Sequence, residues 1–242
     1  MEYEVRLSMD NKKIVITGAS RGIGLEMARI LIGKGHTVFG AVRNPDGASD
    51  LRDAGPAGIL QLDISDQNSI DSFSKELSGV TDSLDILVNN AGITSNDLGA
   101  DRRQCNPWQI DPEIVLAETE INALGPMMVT RGLVELLEAG NNPVVMNTSS
   151  QLGSMVIGAM MPLMLRTTFQ NSGQYDHCHV CIYEQKYCIR SVHPGWVKTD
   201  MGTEAAELEV PDAANAIVES LLGLTIEDTG RFIRWDGTDH PW

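Results

Sequence analysis

Three glycines in the run TGASRGIG could bind a phosphate group. The run covers residues 17–24 and stands directly after an apolar stretch of strand length and at the start of a stretch with helical period. Gly18, Gly22 and Gly24 permit a tight turn and a close backbone approach, so the amides that open the helix can hold a pyrophosphate. Because both flanking elements are present, the run predicts a dinucleotide site and not a plain turn between strand and helix.

Charges near this run indicate which nicotinamide dinucleotide would bind. A carboxylate after the second predicted strand would bind the ribose hydroxyls of NAD and repel the extra phosphate of NADP. Val42 stands where that acid would be expected, and Arg43 follows it. Arg21, in the glycine run, is a second guanidinium that could pair with a phosphate. The sequence therefore favours NADP over NAD; the alternative is that both arginines are ordinary solvated charges.

The elements that must position these residues follow a regular alternation along the chain. Apolar runs of strand length alternate with stretches of helical period, which is typical of parallel strands joined by crossover helices. We therefore predict an α/β, doubly wound parallel sheet (Rossmann fold) in one domain over residues 1–242, with residues 1–11 as an N-terminal extension. The predicted strands are 12–18, 36–43, 59–63, 84–92, 144–150 and 189–195, and the clearest helices are 22–33 and 69–77.

Length, composition and charge restrict the possible partners. A chain of 242 residues and 26.3 kDa can bury one large core. Its 33 acidic and 18 basic side chains give a net charge of −15, which would repel nucleic acid and anionic membranes. No apolar run reaches transmembrane length, so we expect a soluble, cytoplasmic protein.

Five motifs in this order together resemble the short-chain dehydrogenase/reductase family over nearly the whole chain. They are the glycine run, Asp63 after the third strand, NNAG at residues 89–92, TSSQLGS around Ser150 and HPGWVKTDMG at residues 193–202. The ending RFIRWDGTDHPW is similar to the carbonyl-reductase branch of that family, to which the sniffer protein and the bacterial C-factor belong. The resemblance implies cofactor contacts from Gly18, Ser20, Arg21, Gly22, Ile23, Gly24, Arg43, Asp63, Ile64, Asn90, Ala91, Gly92, Pro194, Gly195, Val197 and Thr199.

The resemblance also implies the reaction, an NADP-dependent interconversion of a carbonyl and an alcohol on a small or medium-sized substrate. Ser150 would hydrogen-bond the substrate oxygen, and Asn122 would hold a water of the proton relay. Family members often assemble as homo-oligomers through helices beside the sheet. No metal ion takes part in this chemistry.

One half of the family's catalytic machinery is missing from the sequence. A tyrosine donates the proton, and a lysine four residues later lowers its pKa. In this branch the pair falls at positions occupied here by Arg166 and Gln170, and no Tyr-x-x-x-Lys occurs anywhere in the chain. Besides an active enzyme, two alternatives are therefore possible. The chain could be an inactive nucleotide-binding protein that acts as a sensor or partner, or a non-functional product of a frame-shifted gene.

Residues 158–189 also break the helical pattern that the crossover to the sixth strand requires. They hold Pro162 and Gly173, together with three of the four tyrosines and three of the four cysteines of the chain. Read two bases out of phase, the codons of this stretch permit Tyr-x-x-Ser-Lys at the expected distance from Ser150, followed by a regular helix. We therefore hypothesise an out-of-frame translation, caused by an erroneous gene sequence or by a real pair of insertions and deletions.

The same stretch permits a competing interpretation as a metal site. It contains a Cys-x-x-Cys with neighbouring histidines, and zinc accepts such ligands. No second ligand pair lies at finger-like spacing, so the frame hypothesis explains the composition more completely. Ordinary surface cysteines and histidines are the third interpretation. The residues concerned are His177, Cys178, His179, Cys181 and Cys188.

Overall fold

A computed structural model describes residues 11–100, 111–154, 156 and 186–242 of this chain. Seven strands in this part form one sheet, in the order β3-β2-β1-β4-β5-β6-β7, and every neighbouring pair is parallel. The order reverses beside β1, which gives the sheet the switch point at which doubly wound folds bind ligands. The strands are β1 Lys13–Thr17, β2 Thr37–Val42, β3 Gly58–Gln61, β4 Ile86–Asn89, β5 Val144–Thr148, β6 Cys188–His193 and β7 Phe232–Arg234.

Helices lie between these strands and begin where the local sequence supplies caps. Asp66 accepts a hydrogen bond from the Asn68 N–H at the start of α3, and Asp111 accepts one from Glu113 before α4. The bounds are α1 Gly22–Gly33, α2 Ser49–Asp53, α3 Gln67–Ser78, α4 Pro112–Thr119, α5 Gly125–Gly132, α6 Val134–Glu138 and α7 Val210–Leu222, with a π-helical segment Glu120–Leu124 between α4 and α5.

Both faces of the sheet are buried, as a parallel sheet requires. One face packs on α1 and α7, around side chains such as Ile14 and Ile217, and the other packs on α3 and α5, around Leu87 and Phe73. Because successive strand residues point to opposite faces, each strand contributes to both cores and reads as a continuous apolar run.

The prediction of a doubly wound parallel sheet is confirmed, and the helix over 22–33 has the predicted bounds. All six predicted strands end earlier than predicted, β3 begins one residue before its predicted start, and the short edge strand β7 was not predicted at all. Strand β6 begins at Cys188, one residue before the predicted start, and Tyr187 is buried beside it. No helix among the described residues is long and apolar enough to cross a membrane.

Several predictions concern residues that the structure does not describe. The N-terminal extension lies almost entirely outside the described residues, and so do the positions Arg166 and Gln170. The stretch 158–189 enters the described part only at its last four residues, 186–189. The frame hypothesis and most of the metal hypothesis therefore concern residues outside that part.

Candidate active site

A cleft of about 1150 Å³ lies at the carboxyl ends of the strands. Its wall is formed by the glycine run, by the loops that follow β2 to β6, and by the π-helical segment. Every residue predicted to bind the cofactor or the substrate lines this cleft, except Gly24. Five motifs that are scattered over 180 residues of sequence therefore meet in one place.

The glycine run has the conformation that the prediction requires. Gly18 has a φ of +67° and Gly22 a φ of +56°, in the left-handed region that favours glycine. A Cβ on Gly18 would come within 2.9 Å of the Ala91 Cα, so the turn packs directly against the loop after β4. Arg21 at the start of α1 forms no side-chain cap, so the first N–H groups of this helix are open to a phosphate.

Gly24 supports the turn from behind and does not face the cleft. A Cβ at this position would come within 2.5 Å of Asn90 Nδ2 and 2.6 Å of the Gly18 carbonyl oxygen. Asn90 Nδ2 itself donates hydrogen bonds to the carbonyl oxygens of Thr17, at 3.1 Å, and Gly18, at 3.4 Å. Gly24 therefore leaves the space that this amide needs to hold the turn.

Thr17 joins the first and fourth strands beneath the cleft, a role that was not predicted. Its buried hydroxyl accepts hydrogen bonds from the backbone N–H groups of Asn90 and Ala91, both at 3.0 Å. These N–H groups belong to the two residues that directly follow the last residue of β4. The hydroxyl therefore fixes the loop that carries Asn90, Ala91 and Gly92.

The part of the cleft that was predicted to bind adenosine contains Arg43, Asp63 and Ile64. The Asp63 carboxylate accepts hydrogen bonds from the Ser65 hydroxyl at 2.7 Å and the Ser65 N–H at 3.0 Å. Those hydrogen bonds, assisted by the charge of Arg43, hold the pKa of Asp63 below its ordinary value. Arg43 forms no ion pair with any described residue, so its guanidinium is available to an anion.

Arg21 differs from Arg43 in this respect. Its Nη1 lies 2.9 Å from Oδ2 of Asp200, in the loop after β6. Both side chains are exposed, at 66% and 78%. The sequence predicted that Arg21 would bind a phosphate, whereas in the structure Arg21 forms an ion pair with Asp200.

The part of the cleft that was predicted to bind the nicotinamide is formed by the loop after β6. Gly195 has a φ of +85°, and its missing Cβ would lie only 2.3 Å from Leu208, so the turn at Pro194 and Gly195 requires glycine. The Thr199 hydroxyl accepts a hydrogen bond from the Gly202 N–H at 3.0 Å. A Cβ on Gly22 would be 3.5 Å from Thr199 Cγ2, so this loop touches the glycine run.

Ser150 and Asn122 face the same cleft. Ser150 Oγ accepts a hydrogen bond from the Leu152 N–H at 3.2 Å, which leaves its proton free for a substrate oxygen. The Asn122 amide, in the π-helical segment, is bonded at both ends to the backbone of Ile93. One lone pair and one N–H of that amide remain for a water.

The described part of the cleft contains no tyrosine, and its one lysine is already paired. Lys198 forms an ion pair with Glu209, which raises the pKa of the ammonium group. His193 also lines the cleft, but burial and the neighbouring His240 and Arg234 lower its pKa from 6.5 to about 4. A neutral imidazole at pH 7 does not replace a general acid of the tyrosine type.

Cys188 is the one member of the hypothetical metal set that the structure describes. It lies in the apolar core on β6, at 1% exposure, and burial raises the pKa of its thiol to about 11. Metals bind the thiolate form, and a thiol with this pKa stays protonated at pH 7. The structure therefore removes Cys188 from that set of ligands.

Comparison with known proteins agrees with this architecture. Residues 12–163, more than half of the chain, match the short chain dehydrogenase family. The C-signal protein of Myxococcus xanthus is 30% identical over 166 residues, which cover 67% of this chain and 95% of that protein.

Two solved structures superimpose over 96% of this chain and 100% of their own. The carbonyl reductase Sniffer of D. melanogaster is 27% identical with a TM-score of 0.85. A carbonyl reductase of Pseudomonas aeruginosa, solved in complex with NADP, is 26% identical with a TM-score of 0.81. The sheet order, the glycine turn and these matches lead to one conclusion: the chain is an oxidoreductase that belongs to the short-chain dehydrogenase/reductase family.

Proposed function

We propose that this chain is an NADP-dependent short-chain oxidoreductase that interconverts a carbonyl and an alcohol on a small or medium-sized substrate. The observation that carries the proposal is the position of Ser150, whose free hydroxyl proton shares one cleft with the glycine turn. A dinucleotide held by that turn would extend toward Thr199, and a carbonyl oxygen beside it would meet Ser150. NADPH, when bound, supplies the hydride.

NADP is the proposed cofactor because of the charges at the adenosine end. Val42 puts no carboxylate at the end of β2 to repel a 2′-phosphate, and Arg43, which pairs with no residue that the structure describes, can bind one. The P. aeruginosa carbonyl reductase that superimposes on this chain holds NADP. NAD, which lacks the 2′-phosphate, would lose the Arg43 contact and bind more weakly.

Turnover should be slow, because hydride addition leaves an alkoxide that needs a proton. The Tyr-x-x-x-Lys pair of the family is missing from this sequence, and Ser150 can stabilise the oxygen but has, among the described residues, no hydrogen-bonded base to replace its proton. A positioned general acid contributes about 10²- to 10⁴-fold to such reactions. We expect the rate to fall below that of a complete family site by a factor in this range.

The decisive experiment follows carbonyl-dependent NADPH oxidation at 340 nm with a panel of aldehydes and ketones. A slow rate that disappears in Ser150→Ala, while NADPH still binds, would support the proposal. A parent rate equal to that of Ser150→Ala would contradict it.

A second function, cofactor binding without turnover in a sensor or partner subunit, is favoured by the absence of Tyr-x-x-x-Lys. NADPH binding with no reduction of any carbonyl would select it. A third possibility is a non-functional product of a shifted frame, for which the transcript should be sequenced across residues 158–189. A cooperative melt of the purified chain would count against that third possibility.

We also propose that the chain is cytoplasmic and self-associates into a homo-oligomer. Leu116 on α4 and Leu124 in the π-helical segment are 68% and 36% exposed, so an assembly through these helices would cover apolar side chains. Sedimentation velocity of the chain and of Leu116→Glu would test this, since the charge should dissociate an assembly that buries that side chain.

A further inference from the structure

The Arg21–Asp200 ion pair connects two loops that line the cofactor cleft. Arg21 lies within the glycine run, and Asp200 follows Thr199 in the loop after β6, 179 residues later in the sequence. Both residues line the cleft, and the two loops approach each other closely at Gly22 and Thr199. The ion pair therefore lies at the cleft in which the dinucleotide would bind.

Arg21 has two possible anionic partners once a dinucleotide enters. It is one of two guanidiniums proposed for the 2′-phosphate, and the other, Arg43, is in no ion pair with a described residue. A carboxylate 2.9 Å from Arg21 Nη1 must be displaced before a phosphate can take the same paired donors. Binding of the 2′-phosphate and pairing with Asp200 thus compete for a single side chain.

We propose that Asp200 weakens the preference of this chain for NADPH over NADH by withholding Arg21 from the 2′-phosphate. This inference rests on the proposed function, since it presupposes a nicotinamide dinucleotide in the cleft. NADH has no 2′-phosphate, so its affinity does not depend on where Arg21 points. NADPH binding, in contrast, includes the cost of breaking the ion pair.

The size of the effect follows from the exposure of the pair. Ion pairs between exposed side chains are weak, and in water their loss changes an equilibrium by at most about fivefold. The charge of Asp200 also repels the pyrophosphate, but this repulsion is common to both dinucleotides. Repulsion between Asp200 and the 2′-phosphate would also change the ratio of the NADPH and NADH dissociation constants, but it would persist in Arg21→Gln, so that background isolates the contribution of Arg21.

The test measures both dissociation constants by the quenching of tryptophan fluorescence, because Trp196 lines the cleft and is half-exposed. Asp200→Asn should lower the NADPH-to-NADH ratio of dissociation constants by about two- to fivefold. Arg21→Gln should raise the ratio, and adding Asp200→Asn to Arg21→Gln should leave it unchanged.

Glu209→Gln is the matched control. Glu209 is an exposed acid that lies just beyond the same loop, but it pairs with Lys198 and does not line the cleft. Glu209→Gln removes the same charge as Asp200→Asn but leaves the Arg21–Asp200 pair intact. Its NADPH-to-NADH ratio of dissociation constants should therefore equal that of the parent chain.

Two results overturn the inference alone: an unchanged ratio in Asp200→Asn, or the same shift of the ratio in the Arg21→Gln background. Failure of the parent chain to bind either dinucleotide would overturn the proposed function, and the inference with it. The two failures are therefore distinguishable in one set of titrations.

Discussion

Asn122 and Ile93 are joined by two hydrogen bonds, each 2.8 Å long, that close a ring between a side-chain amide and a backbone. Asn122 Oδ1 accepts from the Ile93 N–H, and Asn122 Nδ2 donates to the Ile93 carbonyl oxygen. Ile93 lies beyond the end of β4, and the Asn122 amide pairs with its backbone N–H and carbonyl as a neighbouring strand would. It ties the π-helical segment to the loop that carries Gly92, so two walls of the cleft are joined directly.

Asn122→Ala should destabilise the chain because both backbone groups of Ile93 lose their partner. Leaving a partly buried polar group unpaired costs about 1–3 kcal/mol, so we expect a loss of this size in the free energy of unfolding, measured by urea titration. Asn44→Ala is the control, since Asn44 makes one exposed hydrogen bond to Gly47 and should change stability by less than about 0.5 kcal/mol. Equal effects of the two variants would contradict this account.

Thr17→Val should destabilise the loop after β4, although valine and threonine have nearly the same size. Valine keeps the shape of threonine but removes the hydroxyl that accepts from Asn90 and Ala91, so two N–H groups lose their acceptor. We expect a loss of about 1–3 kcal/mol in stability and weaker NADPH binding, measured by thermal melts and fluorescence titration.

Thr17→Ser is the matched variant for this experiment, because it keeps the hydroxyl and removes only a methyl group. It should bind NADPH within about twofold of the parent, since the two N–H groups keep their acceptor. If Thr17→Ser and Thr17→Val bind NADPH equally well, the hydroxyl does not decide the affinity, and the role assigned to it is wrong.

The sheet and the location of the site could be predicted because their signals are local. The helix over Gly22–Gly33 has an uninterrupted apolar period, and the buried strands are apolar throughout, so one window of sequence contains each signal. Strand β7 was missed because three residues, Phe232–Arg234, are too few to show a period.

The roles of Thr17 and Asp200 could not be predicted, for a different physical reason. Threonine is common in strands, and nothing within its window indicates that the hydroxyl meets N–H groups 73 and 74 residues away. The partner of Arg21 is more distant still, and an exposed arginine followed by polar residues looks the same with or without a carboxylate opposite. Such pairings depend on tertiary structure alone.

Gly24→Ala should disrupt the glycine turn although Gly24 does not face the cleft. The added Cβ would lie 2.5 Å from Asn90 Nδ2 and 2.6 Å from the Gly18 carbonyl oxygen, so the amide or the turn must move. Overpacking of this kind costs about 1–3 kcal/mol, and the displaced turn should weaken NADPH binding about tenfold or more.

Gly33→Ala is the control, because it makes the same change at the other end of the same helix. No atom lies within 4 Å of the added Cβ, and alanine favours the helix, so stability should stay equal or rise by up to about 1 kcal/mol. Calorimetry of both variants, with NADPH titrations, separates a local clash from a general intolerance of helix α1. A Gly24→Ala protein that binds NADPH like Gly33→Ala would contradict the role assigned to this glycine.

His193 should make the chain less stable as the pH falls below neutrality. Burial lowers its pKa from 6.5 to about 4, assisted by His240, whose ring centroid is 5.5 Å away, and by Arg234. Between these two values the unfolded chain binds a proton that the folded chain does not, so acid favours unfolding. The stabilisation is complete above pH 6.5 and is lost toward pH 4, and it amounts to about 2 kcal/mol between pH 7 and pH 5.

Urea titrations of the parent chain and of His193→Gln, at pH 7 and pH 5, measure this contribution. Glutamine cannot titrate, so the variant should lose about 2 kcal/mol less than the parent over the same interval. Because glutamine packs differently from histidine, the stability of the variant at pH 7 alone is not informative. The test is the change in the free energy of unfolding between pH 7 and pH 5. His36 and His240 also have lowered pKa values, so the His193→Gln variant should still lose some stability between pH 7 and pH 5, but less than the parent. Equal losses in the two proteins would show that His193 titrates normally and is not held neutral by its surroundings.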